Sequence, residues 1–261
     1  MLSYRDLTVL FQDLGLGSHS LAILHGSMAS TEPVTGGPET VVGALLGVCE
    51  MVITPTFTYR TMVTPKLGPA DNALDYGVNE AQVEAEIFHP AMPADPEMGI
   101  LAEVVRRHPQ SQRSGHPILS FAGINAQEAL GQQTLENPFG PIEWLAEFDG
   151  DIVLLSVDHR TNVSIHLGEQ LAGRKTFVRW ALTRRGVIAC PNFPGCSEGF
   201  NAITAKLGGV ARRTRLEQGW LDVIPIRDLL NVVTHWVRDD PAALLCSDSG
   251  CARCNVIRDG A

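Results

Sequence analysis

Apolar runs of strand length alternate with segments of helical period through the first two thirds of the chain, and this restricts the fold more than any other feature. Ser20 to Leu24, Met51 to Phe57, Ile118 to Ala122 and Asp151 to Val157 read as strands, with Pro55 near the end of the second. They are near-continuous apolar runs, as in strands buried on both faces. Tyr4 to Leu14, Gly36 to Val48, Met98 to His108, Pro141 to Phe148 and Val163 to Ala172 have helical spacing. Pro38 lies in the first turn of one such helix, and Asn162 precedes another as an N-cap. Phe177 to Leu182 and Val187 to Ala189 read as a hairpin around Arg185-Gly186, and Phe200 to Leu207 and Ile226 to Val237 as helices. The pattern predicts an α/β layered sandwich, with a central mixed, largely buried sheet flanked by helices. Residues 59–96, rich in Pro, Asn, Asp and Gly, interrupt it as one long irregular segment, a type that is usually functional or mobile.

The formal net charge is −9 over 261 residues. A nucleic-acid partner favours a basic surface, so that class is set aside, and no membrane partner is expected either. An acidic chain suits a cationic ligand, although solubility alone accounts for the same sign. The segment Met1 to Gly17 lacks a basic start followed by an apolar run, and polar residues interrupt every apolar stretch before about 18 residues. The expected location is the cytoplasm, with the six cysteines reduced or bound to metal. Neither a G-x-G-x-x-G nor a P-loop motif is present.

The segment from Ile152 to Glu169 carries the most chemistry: a buried strand, a polar turn, then a helix. Strand carboxyl ends are where α/β folds place ligands. His166 and Glu169 are three apart and share a helix face, so the carboxylate can orient the imidazole and stabilise its protonated form, as a general base requires. A surface or core pair has the same spacing. Arg106, Arg107 and Arg113 cluster in an acidic chain and match phosphate geometry, and they match a solvated helix end equally well. Ser27, in His25-Gly26-Ser27, can donate to a carbonyl or phosphate or cap a turn. Cys246-x4-Cys251-x2-Cys254, with Cys196 from a Pro-Gly-Cys turn, has metal-like spacing, and free buried thiols are the alternative. Cys190 is a reserve ligand and Cys49 a core residue.

Several motifs together resemble the aminoglycoside 3-N-acetyltransferase family. They are HGS at 25–27, GGPETVVGALL at 36–46, ITPTF at 53–57, and FHPAMP to MGILAEVVRRHP from Phe88 to Pro109. RSGHPILSFAG at 113–123, FGPIEWLAEFDGDIVLLSVDH at 139–159 and NVSIHLGEQLA at 162–172 continue the likeness. The resemblance implies a fold unrelated to the GNAT acetyltransferases and direct transfer of acetyl from acetyl-CoA to the 3-amino group of an aminoglycoside. It implies His166 as general base, Glu169 orienting it, and Ser164 steadying the thioester oxygen. It assigns Ser27, Arg113, Ser114, His25 and His116 to the coenzyme. The family's apramycin-acetylating branch ends in a histidine before a Gly-Cys-x-x-Cys motif, where this chain has Cys246; by that likeness Cys196, Cys246, Cys251 and Cys254 hold a structural zinc. The acetyltransferase core is then 1–185, and 186–261 is the C-terminal part of the same domain with a small zinc-stabilised subdomain.

Gly168 replaces the family's Ala and Asp158 its usual Gly. A polycationic acceptor would be selected by carboxylates at Asp71, Asp75, Glu80, Glu84, Glu86 and Asp95 in the long segment and at Asp158 beside the catalytic turn. Two other functions remain open at this point: an acetyltransferase for another amine, such as an amino sugar or small metabolite, and a zinc-stabilised binding protein without catalysis. A hydrolase using Cys or Ser with His ranks below both.

Overall fold

The computed structural model describes residues 1–77 and 85–260. Strands β1 (Leu21–Gly26), β2 (Met51–Pro55), β3 (Met62–Val63), β4 (Ser111–Arg113), β5 (Phe121–Ile124), β6 (Asp151–Leu155), β7 (Phe177–Thr183), β8 (Gly186–Phe193), β9 (Arg212–Arg215) and β10 (Trp220–Pro225) form two sheets. The larger has the order β4-β5-β2-β1-β6-β10-β9 and the smaller β3-β7-β8. β1 runs parallel to β2 and β6, with Ile23 opposite both Ile53 and Ile152. Every other pairing of the large sheet is antiparallel, so the sheet is mixed. The helices are α1 (Tyr4–Asp13), α2 (Gly37–Val48), α3 (Gly99–Arg107), α4 (Gln127–Gly131), α5 (Gly140–Glu147), α6 (Ser164–Leu171), α7 (Ile226–Asp239) and α8 (Ala252–Asp259).

The unbroken apolar runs follow from burial on both faces. Ala22, Leu24, Val52, Val153 and Leu155 pack with Leu7 and Phe11 of α1, Val41 and Leu45 of α2, and Leu101 and Val105 of α3. Their chain neighbours Ile23, Ile53, Ile152 and Leu154 point the other way. They join Ile142 of α5, Ile165 of α6, Val233 of α7, and Phe177 and Phe193 of the small sheet. Each such side chain contributes about 1.5–3 kcal/mol by leaving water.

The structure moves some predicted boundaries and adds elements. The strand expected over 118–122 begins only at Phe121, because His116 Nδ1 accepts from the Ile118 and Leu119 N–H groups and holds a turn there. Phe200–Lys206 is a 3-10 helix. The predicted hairpin is present as β7 and β8, so residue 185 lies in its turn, while β10 enters the large sheet beside β6. Strands β4, β9 and β10 and helices α4 and α8 are additions. Within 59–96 the structure describes a 3-10 turn at Tyr59–Thr61 and β3; Glu80 and Glu84 lie outside the described residues. Among the described residues no helix is long and apolar enough to cross a membrane.

Candidate active site

A cavity of about 720 Å³ opens beyond the carboxyl ends of β1 and β2 and beside the turn after β6. Leu24 to Ala29, Thr54, Pro55 and Phe57 form one wall, and Glu97 to Ile100 lie at the start of α3. Val157, Arg160, Thr161, Val163 and His166 bring in the segment that follows β6. This is the crevice that parallel strands and their helices leave at a sheet's carboxyl edge.

His166 is placed by the first turns of α6. Asn162, fully buried, accepts from the Ser164 N–H at 3.3 Å and so satisfies one of the open donors at the helix start. The imidazole lines the cavity but is only 7% exposed. Phe139 stacks on it with ring centroids 6.2 Å apart, and Phe200 meets it edge-on at 4.6 Å. Its Nδ1 lies 2.9 Å from Glu169 Oε2. Glu169 Oε1 accepts from Arg174, whose guanidinium also donates to the Pro241 and Ala243 carbonyls at 2.8 Å. The chain His166–Glu169–Arg174 is buried and satisfied along its length, and it fixes the ring. With Nδ1 committed to Glu169, Nε2 is the nitrogen that can take a proton from a ligand in the cavity.

The remaining predicted residues divide. His25 and Ser27 line the cavity at the end of β1. Burial pushes His25 down to about 3, so its ring is neutral, and its Nε2 is buried without a partner. Ser164 is fully buried and its Oγ has no partner, but it is not part of the cavity wall. Arg113, Ser114 and His116 stand behind the wall. Arg113 donates to the Pro90, Met92 and Thr56 carbonyls and to Ser120 Oγ, tying the end of the irregular segment to β2. Ser114 Oγ exchanges bonds with the Phe121 backbone. His116 holds its turn through Nδ1, and burial lowers its pKa to about 4.

Among the described residues, the expected ring of carboxylates does not converge on the cavity. Asp158 caps its own 3-10 turn and binds Arg160 and Asn201. Asp71 pairs with Lys175, Glu86 with Arg60, and Asp95 caps Glu97; Asp75 is exposed. Arg106 and Arg107 both pair with Glu103. Among the described lining residues the carboxylate is Glu97, and the cations are Arg160, Arg179 and Arg253. Sequence reasoning missed all four. A signal existed for Arg179, which shares a strand face with Phe177, and for Arg253, which sits inside Cys251-Ala-Arg-Cys254.

The sulfurs of Cys196, Cys246, Cys251 and Cys254 all lie within 4.8 Å of one another, and Cys246 and Cys254 approach to 3.4 Å. Cys190 packs in the main core instead. Burial and the neighbouring cysteines push Cys196 up to about 11. For Cys251, burial is outweighed by hydrogen bonds from the Cys254 N–H and the surrounding thiols, and its pKa falls. Four converging sulfurs that compete for one negative charge are a donor set that a tetrahedral divalent ion satisfies, so these residues fit zinc.

Gly168 has a packing reason. A Cβ there would lie 2.6 Å from Val233 Cγ1, where α6 crosses α7. Overpacking of this kind costs about 1–3 kcal/mol, against a gain of about 1 kcal/mol in helix propensity. Gly168→Ala should therefore lower the melting temperature by a few degrees, and adding Val233→Ala should recover part of the loss. Equal melting temperatures for the single variant and wild type would remove this explanation.

The family model described as "Aminoglycoside 3-N-acetyltransferase" matches residues 23–238. Aminoglycoside N(3)-acetyltransferase IV of Salmonella sp is 27% identical over 165 residues, 61% of this chain and 56% of its own length. Aminoglycoside N(3)-acetyltransferase VII of Streptomyces paromomycinus is 32% identical over 174 residues, 64% of this chain and 59% of its own length. The chain thus spans little more than half the length of these relatives. The crystal structure of aminoglycoside acetyltransferase AAC(3)-IVa superposes with a TM-score of 0.81 at 22% identity, covering 100% of this chain and 98% of that one. AAC-IIIb, solved as a binary complex with CoASH, gives a TM-score of 0.73 at 19% identity over 91% of this chain and 96% of its own. The family match runs from within β1 into α7 and takes in the strands beneath the cavity together with His166 and Glu169. By that match the chain belongs to the aminoglycoside 3-N-acetyltransferase family.

Proposed function

We propose that the protein is an acetyl-CoA-dependent N-acetyltransferase acting on the 3-amino group of an aminoglycoside. The observation that carries this reading is the buried His166–Glu169–Arg174 chain ending in an imidazole on the cavity wall. The acceptor nitrogen attacks the thioester carbonyl carbon and forms the C–N bond, while His166 Nε2 takes the proton the nitrogen sheds. Collapse of the tetrahedral intermediate breaks the C–S bond, and the CoA thiolate leaves and is reprotonated from His166. Glu169 keeps the imidazole in one orientation and stabilises its protonated form. Ser164 is the proposed donor to the carbonyl oxygen; its support is an Oγ without a partner two residues before His166. His25 and Ser27 flank the coenzyme, and Arg113, Ser114 and His116 hold the wall behind it. The proposed location is the cytoplasm, where acetylation would remove a charge from the antibiotic and confer resistance.

Cys196, Cys246, Cys251 and Cys254 would hold the structural zinc, which supplies no step of this reaction. Glu97 is the carboxylate that faces the acceptor's ammonium groups. The three arginines of the same wall favour a second reading, in which the acceptor is an amine with fewer positive charges. NMR of the product after incubation with acetyl-CoA and an aminoglycoside separates the two. An acetyl group on the 3-amino nitrogen supports the first; acetylation of a simple amino sugar alone supports the second.

A further inference from the structure

Two cavity arginines lack a carboxylate partner among the described residues. Arg179 is only 6% exposed, yet its guanidinium donates to the Asn72 and Val178 carbonyls and lies between the faces of Phe177 and Phe193, 5.5 and 5.1 Å from their centroids. Arg253 donates to the Gly195 carbonyl at 2.9 Å. The third cation, Arg160, differs, for Asp158 and Glu198 neutralise it. A buried charge without a counter-ion costs several kcal/mol, about the scale a bound anion can offset. Burial pushes Arg179 down to about 10, and the nearby Arg253 acts in the same direction. In a chain of net charge −9, two guanidinium groups that line one cavity without a carboxylate partner among the described residues mark a place for negative charge on the ligand.

We propose that Arg179 and Arg253 form an anion subsite of this cavity that binds a phosphate group. The planar guanidinium presents paired donors that match phosphate oxygens. Arg179 is pre-set by β7 and its two aromatic neighbours. Arg253 is set by position: it lies between Cys251 and Cys254, and its carbonyl partner Gly195 adjoins Cys196, so the cysteine cluster fixes where it stands. The subsite deepens the acetyltransferase reading and rests on it for one source of the phosphate, the coenzyme; the other source is a phosphorylated amine acceptor.

Calorimetric titration of the metal-loaded protein at one ionic strength tests this, using CoA, dephospho-CoA, pantetheine, inorganic pyrophosphate and a phosphorylated amino sugar. Arg253→Gln should weaken CoA binding at least tenfold and leave pantetheine unchanged, and Arg253→Lys should lose less. Arg179→Lys, which keeps the charge in the core, should also weaken CoA selectively. Elemental analysis and melting curves confirm that each variant keeps its metal and its fold. If CoA is unaffected but the phosphorylated amino sugar loses tenfold, the subsite stands and belongs to the acceptor. If wild type binds pyrophosphate through Arg253 but binds no CoA, the subsite stands and the acetyltransferase reading falls. Equal losses for CoA and pantetheine, or no change for any phosphate, would overturn the proposal.

Discussion

His166→Ala should lower kcat/KM for acetyl transfer by about a hundredfold or more, the scale of a lost general base, while CoA still binds. The fold should survive, because Glu169 keeps its bond to Arg174 and Arg174 keeps the Pro241 and Ala243 carbonyls. The loss should fall on kcat, since the imidazole acts on the proton that leaves the nucleophile and not on uniform binding. Glu169→Gln should cost less: an amide can still accept from Arg174 and meet Nδ1, but it cannot stabilise the charged ring. Steady-state kinetics with both variants and a binding titration decide the point. Turnover of His166→Ala near the wild-type value would show that the base is elsewhere.

Cys254→Ser should lower the melting temperature by about 5–15 °C, because metal-binding energy at such a site is folding energy. Cys254, on α8, is fully buried, and its sulfur meets Cys246 and Cys251 from the segment before α8 and Cys196 from the turn after β8. A metal at this point ties the last helix to the small sheet, so its loss releases the C-terminal segment and leaves the His166 chain intact. Activity per folded molecule should therefore change less than stability. Differential scanning fluorimetry with elemental analysis measures both sides. Metal well below one equivalent in untagged protein, with four freely titratable thiols in the native state, would reduce the cluster to buried cysteines.

The legible parts of the fold were those set by local periodicity. β1, β2 and β6 announced themselves because their central residues are apolar on both faces, with His25, Thr54 and Asp151 kept to or near the strand ends. β10 did not, because Asp222 sits in its middle; only its pairing with Arg213 across β9 makes that carboxylate tolerable in a buried strand. β4 is three polar residues recruited by pairing with β5. His166 and Glu169 were legible as a helical i, i+3 pair, but Arg174, which completes their chain, lies past the helix end. The arginine-rich wall was hidden for a related reason: Arg160, Arg179 and Arg253 come from a turn, a strand and the C-terminal helix, and only the tertiary fold brings them together. The acidic residues of the irregular segment looked like a cation site because composition carries no direction; several of those described spend their charge on local partners.

Acceptor-dependent release of free CoA from acetyl-CoA measures the proposed chemistry most directly. With wild-type protein and a panel of aminoglycosides, amino sugars and simple amines, thiol should appear only when a suitable amine is present, in step with acetylated product. Thiol release that is absent across the whole panel, or that proceeds at the same rate without any amine, would contradict acetyl transfer by this protein.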